Sequence, residues 1–129
     1  NYIMGIWLQK KVKDQQADDV LYHRNGLVSE FPRCNLFIVK ENDEIVTPAS
    51  HVLPGITRKK VLELSGKPYR IRESEVRLDE VYAAKEVFLT STTKRILPIV
   101  QVDNKLIGTG KPGSVSKAVL DRIIEFENN

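Results

Sequence analysis

The segment Leu53-Pro54-Gly55-Ile56-Thr57-Arg58 sets a glycine and a hydroxyl at the start of a helix-forming stretch. Glycine there lets backbone approach a ligand closely, and the first N–H groups of a helix have no partner within it. With the helix dipole they make a site for an anion, most simply a phosphate. The same residues would serve equally as a threonine N-cap on a surface helix. A second segment, Thr90-Ser91-Thr92-Thr93, lines up hydroxyls behind the apolar run Val87-Phe88-Leu89. These can bond a phosphate or a carboxylate, or satisfy their own turn. The third candidate is Glu30, a short way ahead of Cys34-Asn35. A carboxylate there can pair with a cationic ring nitrogen or with a neighbouring arginine.

Other chemistries find less support. His23 and His51 have no cysteine or carboxylate at metal-ligand spacing, so no metal site is expected. Cys34 carries no nucleophile signature and suits a small buried position. Gly108-Thr109-Gly110-Lys111-Pro112-Gly113 lacks the Gly-Lys-Ser/Thr ending of a nucleotide-binding loop. The net charge is +3, from 20 basic and 17 acidic residues, and the basic residues are spread along the chain. The densest patch, Lys10-Lys11-Val12-Lys13, is followed closely by Asp14, Asp18 and Asp19. It reads as a solvated face, and no nucleic-acid partner is expected. No apolar run approaches the roughly 18 residues of a membrane span, so no membrane partner is expected either. A lone cysteine cannot form an internal disulfide, which fits a cytoplasmic location, and no signal-peptide layout is present. The only methionine is Met4, so a chain opening at Asn1 is expected to be a product of processing, proteolysis or deliberate cutting.

The 129 residues suffice for one domain with a core of its own. Tyr2, Ile3, Ile6, Trp7, Val12 and Ala17 recur at roughly helical spacing, which predicts a helix over about 2–17. Asn25-Gly26 is a strong hairpin signal, joining strands at about 19–24 and 27–31. Leu36 to Val39 and Ile45 to Thr47 read as strands around the turn Glu41-Asn42-Asp43-Glu44, and a loop runs from Pro48 to Pro54. A helix over Thr57 to Leu64 should turn Ile56, Val61, Leu62 and Leu64 inward and stop at Gly66. Tyr69 to Arg72 is a strand candidate, and Leu78 to Ala83 a short helix opened near Ser74 or Arg77. Val87 to Leu89 and Ile96 to Val102 are strands joined by the hydroxyl turn, with Pro98 pointing to an edge or a bulge. Asp103-Asn104-Lys105 turns the chain before Leu106-Ile107. Val115, Val119, Leu120, Ile123 and Phe126 mark a terminal amphipathic helix. The expected class is α+β, with hairpins in place of regular βαβ alternation.

In order and spacing, these segments resemble the class IV pyridoxal-phosphate-dependent aminotransferases. That family includes branched-chain amino acid aminotransferases, D-amino acid aminotransferases and aminodeoxychorismate lyases. Leu21 to Glu30 resembles the family's strand–turn–strand ending in glutamate, and Asn35 to Val39 the Asn-Leu-Phe strand after it. Thr47-Pro48 with Leu53 to Arg58, then Phe88 to Pro98, then Ile107 to Gly113 resemble the segments that follow. The resemblance covers nearly the whole chain. It implies the C-terminal, cofactor-binding domain of a D-amino acid aminotransferase-like (fold type IV) enzyme, spanning residues 1–129.

The resemblance also implies pyridoxal 5'-phosphate as cofactor, with an amino acid and a 2-oxo acid as substrates in a cytoplasmic homodimer. Glu30 would pair with the pyridine nitrogen and favour the protonated ring, the better electron sink. Gly55, Ile56, Thr57, Ser91 and Thr92 would hold the phosphate, Leu53 would pack on the ring, and Thr93 would offer its N–H to the substrate carboxylate. The closing Gly-Lys-Pro-Gly segment leans toward branched-chain L-amino acids. A D-amino acid aminotransferase, an aminodeoxychorismate lyase and a non-catalytic phosphate-ligand binding module are the alternatives.

Two departures stand out. Phe31-Pro32-Arg33-Cys34 replaces the small residues and serines common in the family. The family's Schiff-base lysine would fall just ahead of Asn1, so no catalytic residue is expected within this chain. Lys10, Lys11 and Lys13, about two to three turns further along the predicted helix, do not take its place. The fragment is therefore expected to be inactive alone, and the family's N-terminal domain to lie outside it.

Overall fold

The computed structural model describes residues 2–7, 19–24, 27–28, 35–49, 56–64, 70–91, 95–102, 105–111 and 113–127. Ten strands and three helices occur among them. The first three strands are β1 (Tyr2–Trp7), β2 (Asp19–Arg24) and β3 (Leu27–Val28). β4 (Asn35–Val39) and β5 (Ile45–Pro48) are followed by helix α1 (Ile56–Glu63) and β6 (Ile71–Ser74). Helix α2 (Leu78–Ala83) precedes β7 (Glu86–Ser91) and β8 (Arg95–Ile99). β9 (Gln101–Val102), β10 (Lys105–Leu106) and helix α3 (Ser114–Glu127) complete the series. The strands form two five-stranded sheets, ordered β10-β9-β1-β2-β3 and β6-β5-β4-β7-β8.

The helix expected over about 2–17 is overturned at its start, where residues 2–7 form β1. Tyr-Ile-Met-Gly-Ile-Trp is rich in aromatic and β-branched residues and carries a glycine, all of which suit a strand better than a helix. An apolar run this short does not separate the two by periodicity. Antiparallel pairing with β2, from Tyr2↔His23 to Ile6↔Asp19, decides it. β2 and β3 pair His23↔Val28 and Arg24↔Leu27, the register expected across a two-residue Asn25-Gly26 link. That link, like residues 8–18 and Gly66, lies outside the described residues.

In the second sheet β4 is central, and all five of its residues are buried. Such a strand reads as an unbroken apolar run because both faces are covered. One face carries Phe37, Val39, Ile45, Ile71 and Phe88, packed against Val61 of α1 and Val119 and Ile123 of α3. Phe37 and Phe88 are partners in the β4–β7 ladder, and their rings stack with centroids 5.1 Å apart. The opposite face carries Leu36, Ile38, Val46, Val87 and Leu89, packed against Val81 of α2, Val102 of β9 and Ile107.

Several boundaries differ from expectation, each for a reason visible in the pairing. Pro48 belongs to β5, where it pairs with Ser74, rather than opening a loop. Thr90 and Ser91 extend β7, paired with Ile96 and Arg95, so two of the four hydroxyl residues lie in the ladder and not in a turn. The strand expected over Ile96 to Val102 divides at Val100: β8 pairs with β7, while β9 joins the other sheet beside β1. Pro98 sits on β8, an edge strand, as its missing N–H requires. Ile56 is 62% exposed rather than inward, whereas Val61 is fully buried and Leu62 and Leu64 pack partly against the core. β5 and β6 run parallel around α1, one βαβ unit within an otherwise antiparallel sheet.

The Gly-rich segment before α3 is explained by packing. Buried Glu86 accepts hydrogen bonds from the N–H groups of Val115 at 3.0 Å and Ser116 at 2.8 Å, and from the Ser116 hydroxyl at 2.8 Å. Its carboxylate thus satisfies the free amides that open α3 and faces the positive end of the helix dipole. A Cβ on Gly113 would collide with the Glu86 carboxyl group.

Candidate functional site

The direction of the strands locates the start of α1. β5 and β6 are parallel, and β4 is antiparallel to both β5 and β7. The C-terminal ends of β5, β6 and β7 therefore lie together, beside the beginning of β4. α1 leaves β5 at this end and returns over the sheet to feed β6. Val61 reaches the apolar cluster under the helix, and Thr57, one turn earlier, is buried toward the strand ends.

At that edge the core changes character. Asn35, Thr47, Thr57, Arg58 and Thr90 are all buried. Asn35 and Thr90 face each other across the β4–β7 ladder, one step beyond the pair Leu36↔Leu89. By strand alternation they share the face covered by α1 and α3 with Phe37 and Phe88. The Thr47 hydroxyl donates to the Leu36 carbonyl at 2.6 Å. Arg58 Nη2 donates to the Pro48 carbonyl at 3.1 Å and to Glu73 Oε1 at 2.8 Å. Among the described residues, two buried side-chain polar atoms are left without a partner, Arg58 Nε and the Thr90 hydroxyl. Buried polar groups are nearly always paired, so two orphans near one strand edge point to a ligand or ordered solvent there.

The first turn of α1 carries Arg58 and no acidic residue. Positive charge at the N-terminal end of a helix opposes the dipole, and here the Glu73 carboxylate meets it at 2.8 Å, which leaves the free amides of the turn as the donors for an anion. The exposed Ile56 opens this turn, so its amide belongs to the set that has no partner within the helix.

Of the residues expected to form the site, Ile56 and Thr57 are found at the start of α1, and Ser91 is the last residue of β7 at the same end of the sheet. Glu30, Leu53, Gly55, Thr92 and Thr93 lie outside the described residues. Arg58 and Thr90 belong to the two segments that stand out in the sequence, but their burial and their grouping with Asn35 and Thr47 are not evident there. A signal for the grouping existed. Each of the three strands β4, β5 and β7 places a polar residue at the end of an apolar run, and antiparallel pairing brings those ends together. Among the described residues no helix is long and apolar enough to cross a membrane.

Comparison with known proteins agrees with this architecture. The family model for amino-transferase class IV matches residues 1–102. The chain is similar to the D-alanine aminotransferase of Bacillus licheniformis, at 36% identity over 123 residues, covering 92% of this chain and 43% of that protein. The fold is similar to that of the branched-chain amino acid aminotransferase from Escherichia coli, with a TM-score of 0.72 and 34% identity over 78% of this chain and 35% of that one. It is also similar to the branched-chain amino acid aminotransferase from Thermobaculum terrenum in its PLP form, with a TM-score of 0.77 and 29% identity over 85% of this chain and 37% of that one. The chain thus spans less than half the length of these relatives. The fold is α+β and of the fold type IV kind, and the chain belongs to the class IV aminotransferase family.

Proposed function

We propose that this chain is the cofactor-binding C-terminal portion of a pyridoxal-phosphate-dependent aminotransferase, which moves an amino group between an amino acid and a 2-oxo acid. The observation that carries this reading is the polar edge at the start of α1. The Thr90 hydroxyl is buried without a partner, and the first turn of α1 has no acidic residue to compete with an anion for its free amides. These features fit the phosphate of pyridoxal 5'-phosphate. When bound, that cofactor supplies an electron sink for the electron pair left at the substrate Cα on proton loss.

In this reading the amides of Ile56 and Thr57 and the Thr57 hydroxyl hold the phosphate, and Gly55 lets it approach the backbone. Ser91, the last residue of β7, and Thr92 add hydroxyls. Glu30 keeps a proton on the pyridine nitrogen, because a nearby carboxylate favours the charged ring. Leu53 covers the ring face, and Thr93 offers its N–H to the substrate carboxylate. The lysine that anchors the cofactor and moves the Cα proton belongs to the rest of the parent enzyme, a cytoplasmic homodimer.

Branched-chain L-amino acids are the substrates we favour, on the closing Gly-Lys-Pro-Gly segment and the similarity to branched-chain enzymes. The similarity to a D-alanine aminotransferase supports a second reading, with D-alanine as donor. The test is amino transfer by the full-length gene product from L-leucine, L-valine or D-alanine to 2-oxoglutarate. Transfer from one of the L-donors supports the first reading and transfer from D-alanine the second. Transfer from none, with cofactor bound, contradicts both.

A further inference from the structure

We infer that Arg58 is the positioning residue of the site at the start of α1, acting through Glu73 and the Pro48 carbonyl rather than by touching the anion. This rests on the functional reading above. One guanidinium nitrogen, Nη2, joins the end of β5, through Pro48 at 3.1 Å, to β6, through Glu73 at 2.8 Å. Thr47 and Glu73 are neighbours in the β5–β6 ladder, and Pro48 pairs with Ser74. Arg58 thus ties the first turn of the crossover helix to both strands it connects. Its side chain is 11% exposed, while that of Glu73 is 47% exposed.

The pairing has a consequence for the anion. A guanidinium whose charge is taken up by a carboxylate at hydrogen-bond distance is a poor direct partner for a second anion. It is well suited to fixing geometry, because the two N–H bonds of the planar Nη2 hold two acceptors at a set angle. Arg58 immediately follows Thr57, so a shift of its anchor moves the Thr57 amide and hydroxyl together. Even a small displacement of hydrogen-bond donors markedly weakens a preorganised site. The Thr90 hydroxyl, buried and unpartnered on the strand that α1 covers, is an independent sign that the edge is built to receive a ligand.

The experiment uses the 129-residue chain and pyridoxamine 5'-phosphate, which carries the phosphate but no aldehyde to react with surface lysines. Affinity is measured by titration calorimetry for the wild type, Thr57→Val, Arg58→Lys, Arg58→Met and Glu73→Ala, each checked for a cooperative melt. Positioning predicts that Glu73→Ala weakens binding roughly three- to tenfold, as removing one charge-assisted hydrogen bond would. It also predicts that Arg58→Met weakens binding more and that Arg58→Lys recovers part of the loss. Should Glu73→Ala bind as well as or better than wild type while Arg58→Met binds worse, Arg58 touches the anion directly and the inference is wrong. Should Thr57→Val weaken binding while both Arg58 variants bind normally, the site stands and Arg58 has no part in it. Should the wild type bind no better than Thr57→Val, the site itself is misplaced and the inference falls with it.

Discussion

Glu86 and Ser116 meet at 2.8 Å through both the backbone N–H and the hydroxyl of the serine, and this contact fixes α3 to β7. Replacing Glu86 by Ala removes the acceptor from two amides and one hydroxyl in a buried place. We expect a loss of about 2–4 kcal/mol in unfolding free energy, since the stranded donors keep their desolvation penalty. Chemical denaturation measures it. Glu86→Gln, which keeps one good acceptor oxygen, should fall between.

Gly113→Ala should be destabilising by about 1–3 kcal/mol, the usual range for overpacking, because its Cβ meets the Glu86 carboxyl group. Combining it with Glu86→Ala should give less than the sum of the two losses, as expected for residues in contact. Full additivity in a double-mutant cycle would argue against this packing.

Phe37 and Phe88 stack at the centre of the face covered by α1 and α3, and neither ring reaches solvent. Phe88→Ala should cost about 3–5 kcal/mol, and Phe88→Leu distinctly less. Thermal melts of the two variants are the check.

Much of this fold is legible in the sequence where local pattern and final environment agree. β4, β5 and β7 are apolar runs that end up buried on both faces, and α3 keeps its apolar spacing from Val115 to Ile123. β1 is misread because six apolar residues beside a polar, lysine-rich stretch mimic a helix, and only its partners β2 and β9 reveal a strand. The switch between sheets at Val100 is likewise invisible locally, since Ile96 to Val102 is continuous in character. For the proposed site, the placement of Ile56 and Thr57 at a helix start is readable from the glycine and threonine there. Arg58 is not, because its value depends on Glu73, fifteen residues away and brought near by the β5–β6 pairing.

A pH effect follows from Glu44. The hydrogen bond from Arg72, with an ion pair at 3.2 Å, holds this carboxylate below its ordinary pKa, and desolvation opposes it only in part. A carboxylate depressed in the folded state adds stability above its unfolded pKa, and that stability is lost as the pH falls through the folded value. The pair is near the surface, so its worth at neutral pH is only about 0.2–0.5 kcal/mol. Glu44→Gln should therefore be slightly less stable than wild type at pH 7 and equal to it near pH 2. A gap that persists unchanged in acid would show that the ion pair is not its source.

In the proposed function the opening turn of α1 binds the phosphate of the cofactor. Amide chemical shifts of the isotope-labelled chain, followed while pyridoxamine 5'-phosphate is added, test it most directly. Saturable shifts are expected, largest at Ile56 and Thr57 and extending to Ser91, with none when pyridoxamine without phosphate is added. Shifts centred elsewhere with Ile56 and Thr57 unmoved, or equal shifts with unphosphorylated pyridoxamine, would contradict it.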